Sequence, residues 1–259
     1  MGFKIDENLV VHLDQNSSSF GDTSLERNPT WTKTHCMISP ISVCSLVLRL
    51  SAKSSRKDSI GDNCPLIYAL KQRDELKVTL TSLKPMVPLL HQLLDKFYQQ
   101  QQLQNVGYDV IVPMPSSHNL TNILAKCLSS RFAIPIATHL FRKTTPDDVL
   151  TQLKKDRLGP NSIPHNARLK ITAAIQQATI NNESFSLSRV PTRFRKYVCP
   201  VALNVADVPS FKRVLLVDDL FASGRTLISA KDQLFKHIPA ANIEALCLFS
   251  PHNGRVKKP

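Results

Sequence analysis

The sequence is short of glycine, with 7 in 259 residues, and holds a single tryptophan. None of the glycines sits in a G-x-x-x-x-G-K-[ST] loop, which excludes a P-loop nucleotide site. Six cysteines (Cys36, Cys44, Cys64, Cys127, Cys199, Cys247) are scattered without a C-x-x-C pair, which excludes a zinc ribbon or a redox dithiol. Cys127 and Cys247 lie in apolar patterns and read as reduced core residues. No apolar run approaches the roughly 20 residues that span a bilayer. The first residues lack the apolar core of a signal peptide and a myristoylation signal, so a cytoplasmic protein is expected. His118, His139 and His165 have no metal-ligand spacing.

What is present is positive charge and an alternating pattern of strands and helices. The formal net charge is +13, which favours anionic partners. Eleven Lys or Arg against four acids fall between Phe141 and Pro200, so this stretch holds +7 of the excess. The apolar patch Ile41 to Leu50 reads as a strand or short helix. Met86, Leu89, Leu90, Leu93, Leu94 and Phe97 recur at three- and four-residue steps and predict a helix that ends in the Gln99 to Gln102 run. Tyr108 to Pro115 predicts a strand closed by prolines, and Leu120 to Leu128 a helix. Ile134 to Leu140, Arg213 to Val217 and Ile243 to Phe249 predict further strands, and Leu227 to Phe235 a helix. A helix through Ala167 to Ile180 and a strand within Val198 to Val205 interrupt what otherwise reads as long loops from 141 to 200. The expectation is an α/β fold with a parallel sheet whose ligands bind beyond the strands' carboxyl ends. The division expected is an N-terminal extension over 1–64, forming part of a hood, and a domain over 65–259 with a basic insertion at 141–200.

The chemistry is concentrated in Val214 to Leu227, VLLVDDLFASGRTL. A buried apolar strand delivers Asp218 and Asp219, and a small-residue turn then opens a helix. Carboxylates at a strand end accept hydrogen bonds from a sugar diol or hold hydrated Mg²⁺. Ala222, Ser223, Gly224, Arg225 and Thr226 offer backbone N–H groups at a helix N-terminus, where a phosphate is favoured. A diol beside a phosphate describes ribose 5-phosphate. A Walker B strand would fit the acids alone, but the missing P-loop argues against it.

That string resembles the phosphoribosyl-pyrophosphate (PRPP) signature of type I phosphoribosyltransferases. The resemblance implies a Rossmann-like core, ribose hydroxyls on Asp218 and Asp219, the 5'-phosphate on Ala222 to Thr226, and pyrophosphate bound with Mg²⁺. More loosely, Ile67 to Lys71, Asp109 to Pro115, Leu124-Ala125, and Arg142 followed by Thr145-Pro146 resemble the ComF-like, amidophosphoribosyltransferase-related branch in their order. The chain lacks that branch's N-terminal Cys cluster and its basic segment after the first strand. By this resemblance the loop at Pro115, Ser116 and Ser117 contacts pyrophosphate through backbone groups. Lys71, Arg142 and Lys143 are the candidate catalytic charges, the last two in a loop that closes over PRPP. An acid that protonates a 6-oxopurine is absent, with Ala222 in its place. The alternative reading is a PRPP or nucleotide sensor that touches nucleic acid. Arg189, Arg193, Phe194, Arg195, Lys196 and Tyr197, with Arg255, Lys257 and Lys258 extending the patch, mix charge with rings as such binding requires. A homodimer or a complex with a protein partner is the assembly expected.

Overall fold

The structure is a computed structural model that describes residues 1–17, 19–34, 40–50, 60–103, 107–155, 163–181, 187–204 and 208–251. In chain order the strands are β1 (Gly2–Ile5), β2 (Val11–Asp14), β3 (Gly21–Asp22), β4 (Thr30–Thr34), β5 (Ile41–Arg49), β6 (Val110–Pro113), β7 (Phe141–Lys143), β8 (Val201–Leu203), β9 (Arg213–Leu220) and β10 (Asn242–Phe249). The helices are α1 (Pro65–Leu70), α2 (Leu80–Leu83), α3 (Met86–Leu103), α4 (Leu120–Phe132), α5 (Pro146–Lys155), α6 (His165–Ile180) and α7 (Arg225–His237). None is long and apolar enough to cross a membrane among the described residues.

Strands β5, β10, β9 and β6 lie side by side and parallel, and β3 and β4 both add antiparallel to β5. Strands covered on both faces need continuous apolar runs. Val214, Leu215, Leu216 and Val217 supply one, each fully buried. Leu215 and Val217 face a cluster with α1, α3 and α4, while Val214 and Leu216 face α7. Alternation along β9 therefore directs Asp219 toward the α1 side and Asp218 toward the α7 side. Asp109 sets the β6–β9 register, its Oδ2 accepting from the Lys212 and Arg213 amides at 2.6 and 2.9 Å.

β5, from within the residues read as an N-terminal extension, lies inside the main sheet next to β10. α3 runs through the glutamine tract and ends one residue past it, at Leu103. Gln101 is buried beside Tyr108, and Gln100 accepts from the Trp31 indole at 3.1 Å. Tertiary partners on both sides hold that last turn.

The strand expected at Ile134 to Leu140 is reduced to one bridge between Ile136 and Ile111. Pro135 has no N–H to extend a ladder, and the chain then forms β7, which pairs antiparallel with β8. The expected long loops hold α5 instead. Thr145 and Asp148 cap it reciprocally: Asp148 Oδ2 accepts from the Thr145 amide at 2.8 Å, and the Asp148 amide donates to Thr145 Oγ1 at 3.2 Å. Pro146 occupies the first helical position, where a missing N–H costs nothing. α5 and α6 share a separate small core with Val190, Phe194 and Val198.

Candidate phosphoribosyl site at the strand ends

At the carboxyl end of β9 the chain turns through Phe221 to Gly224 into α7. Phe221 is held by its amide to the Phe249 carbonyl at 2.9 Å, and its ring is buried. Gly224 lies directly on that ring with φ of 70°, and a Cβ there would come within 2.5 Å of Phe221 Cε2. Both the backbone angle and the contact require glycine. The Ala222 amide is already bonded to the Leu220 carbonyl at 3.1 Å. The amides of Ser223, Gly224, Arg225 and Thr226 have no acceptor among the described residues, and no side chain caps α7. Of the five amides expected to hold a phosphate, four, those of Ser223 to Thr226, are thus open at a thirteen-residue helix's positive end.

Asp218 Oδ1 accepts the Asp219 amide at 2.9 Å. Loss of hydration, with the Asp219 charge beside it, pushes the Asp218 carboxyl up to about 7. Asp219 is buried, and its Oδ2 lies 2.5 Å from Lys71 Nζ. Lys71 follows directly on α1, in a turn where Gln72, Asp74 and Glu75 all take positive φ. This turn also carries Arg73, a residue the sequence reading missed. Burial holds Lys143 below the usual ammonium range, and the Lys71 and Arg73 charges add to it. His118 is lowered by partial desolvation and by Arg73 and Lys71. Lys71, Arg73, Lys143 and His118 thus lie within electrostatic reach of one another, and Lys71, Lys143 and His118 also sense Asp219.

Ser116 and Ser117 are exposed just beyond β6, and the Met114 amide extends its pairing to the Val217 carbonyl at 2.8 Å. The cis peptide among the described residues is Asn28–Pro29, so the bonds of Met114 to Ser117 are trans. Arg142 takes a different direction from Lys143: its guanidinium clamps both Asp148 oxygens at the start of α5. Successive strand residues face opposite ways, so only Lys143 joins the cationic group.

In the basic segment, Thr192–Tyr197 form a 3-10 turn, and Phe194 is buried in the α5–α6 core with the Arg193 guanidinium 4.6 Å above its ring. A ring in that position cannot stack a base from solvent. Lys196 lies 5.1 Å from the Tyr197 ring, and Arg195 Nε donates to the Val190 carbonyl at 2.8 Å. Arg189 is partly buried. Arg255, Lys257 and Lys258 lie outside the described residues.

Comparison with known proteins bears on the same region. Residues 123–259, just over half of the chain, match the phosphoribosyl transferase domain. The chain belongs to that family. The matched residues take in Lys143, β9, the turn and α7. A crystal structure of adenine phosphoribosyltransferase from Leishmania tarentolae is similar at 11% identity and a TM-score of 0.35, over 96% of this chain and 94% of that one. No curated protein matches.

Proposed function

We propose that this phosphoribosyltransferase-family chain binds PRPP and transfers its phosphoribosyl group to a base or amine, releasing pyrophosphate. One observation carries the reading: the Lys71–Asp219 pair and its cationic neighbours stand at the strand ends next to an uncapped helix N-terminus. Such a site matches a ligand with an anion at each end and hydroxyls between. The 5'-phosphate takes the open amides of Ser223 to Thr226. The ribose hydroxyls donate to Asp218 and Asp219. The pyrophosphate displaces Asp219 as the partner of Lys71 and draws in Arg73, Lys143 and the Pro115–Ser117 loop.

Transfer breaks the C1–oxygen bond, and the electron pair leaves on pyrophosphate. Fixed cations around the departing group stabilise that charge as it develops. Asp218 and Asp219 also suit a hard cation by chemistry, since both are carboxylates beside phosphate-binding groups. The described residues contain no cluster of three or more His, Cys, Asp and Glu that could hold a metal. Mg²⁺ would therefore take its other ligands from the diphosphate and water, and when bound it neutralises the leaving group. We also assign the chain to the ComF-like branch, on the order of Ile67 to Lys71, Asp109 to Pro115, and Arg142 with Thr145-Pro146.

The test is pyrophosphate release from PRPP with Mg²⁺ and a panel of amines and bases. Release by the native chain, lost in Asp218→Asn and in Asp219→Asn, is the expected result. Salt-dependent nucleic-acid binding that survives both substitutions, with no turnover, would support the sensor reading instead.

A further inference from the structure

Arg49 is the last residue of β5, at the same carboxyl edge of the sheet as Asp218 and Asp219. β10 alone separates its strand from β9, which sets the two strands roughly 10 Å apart. Its backbone is fixed, with the amide donating to Ser250 Oγ at 2.8 Å. The residue is only 6% exposed, yet its Nε and Nη1 are buried with no acceptor among the described residues. No carboxylate pairs with it among the described residues. A buried guanidinium without partners is costly to keep and is seldom found unless an anion visits it. Its surroundings join it to the site: the Cys64 thiol before α1 senses the charges of Arg49, Lys71 and Asp219 together.

The open amides follow β9, and the cationic group is carried by the segments after α1 and β6 and by β7, whereas Arg49 ends β5 on the other side of β10. We propose that Arg49 selects an acidic acceptor, holding the carboxylate of a planar nitrogen nucleophile while that nitrogen attacks the sugar. The inference rests on the PRPP reading and names its substrate class. The nitrogen lone pair forms the new bond to C1 as the C1–oxygen bond breaks toward pyrophosphate. Any proton on that nitrogen passes to water, and the carboxylate stays on Arg49 unchanged. Guanidinium suits this task because its planar fork matches a carboxylate.

The test uses matched probes, nicotinate against nicotinamide and orotate against uracil, with PRPP and Mg²⁺ present. The native chain should use an acid with kcat/KM about 30-fold or more above its neutral counterpart. Arg49→Met should bring the acid down to the neutral level and leave the PRPP-induced rise in Tm intact. With its uncompensated charge removed, ligand-free Arg49→Met should also melt roughly 2–4 °C above the native chain. Equal use of neutral probes, an acid preference that survives Arg49→Met, or failure of that variant to fold would each overturn the inference. Calorimetric binding of the acids to the ligand-free native chain, lost in Arg49→Met, separates the two readings. That binding persists if PRPP proves not to be the ligand, and its absence counts against Arg49 alone.

Discussion

Asp218 and Asp219 are adjacent, but their surroundings differ. Asp219 has Lys71 at 2.5 Å, whereas Asp218 has a backbone amide and a like charge. The consequence is a pH dependence of stability. Between about pH 4 and about pH 7 an unfolded carboxyl has lost its proton while folded Asp218, raised to about 7, retains it. The native state then binds more protons than the unfolded state, so stability falls as pH rises across that window and levels off above it. Asp218→Asn removes the effect: its Tm advantage over the native chain should grow from pH 4 to pH 7 in ligand-free melts. A constant or reversed difference would contradict the assignment. Gly224→Ala imposes both a left-handed alanine and the 2.5 Å contact with Phe221. It should cost about 1–3 kcal/mol in urea denaturation, together with weaker PRPP binding. The acids, Gly224 and the turn were legible because their geometry is local. Arg73 and Phe221 were not, because no neighbouring residue marks which arginine stands near Lys143 or which phenylalanine packs on Gly224.

At the scale of elements, pairing parity decides where side chains point. β7, three residues long, is too short to show a period in the sequence, and without it Arg142 and Lys143 fall together in one closing loop. Their alternation separates them, Arg142 onto Asp148 and Lys143 toward Asp219. Lys143→Ala should raise the KM for PRPP about tenfold while leaving the melt nearly unchanged. Arg142→Ala should do the reverse, lowering Tm through lost support of the α5 start with PRPP affinity within about twofold. Steady-state kinetics and thermal melts on the pair decide between these outcomes. Thr145-Pro-Asp-Asp148 carries the start signal of α5, in a stretch expected to hold long loops. β6, β9 and β10 were legible because their apolar runs are uninterrupted, and Pro135 accounts for the strand that failed.

For the whole molecule, the parallel sheet was predictable and its composition was not. β5 pairs with β10 across about two hundred residues, Val43 opposite Ala245 and Val47 opposite Phe249. No periodicity within either segment announces a partner that far away. Since Ile41, Val43, Cys44 and Leu46 are fully buried, a chain without residues 1–64 should expose β10 as an apolar edge. Such a chain should lose its cooperative melt by circular dichroism; a sharp native-like transition would show that the rest folds alone. The net charge of +13 gives the molecule a field that draws in polyanions. Titration of the full chain with PRPP and Mg²⁺, read by calorimetry and thermal shift, tests the central claim most directly. The account predicts one PRPP bound per chain and about 2.7 kcal/mol of added stability at a hundredfold excess over Kd, abolished by Asp219→Asn. Absence of binding heat and of any Tm rise in the native chain, or a rise that Asp219→Asn leaves unchanged, would contradict it.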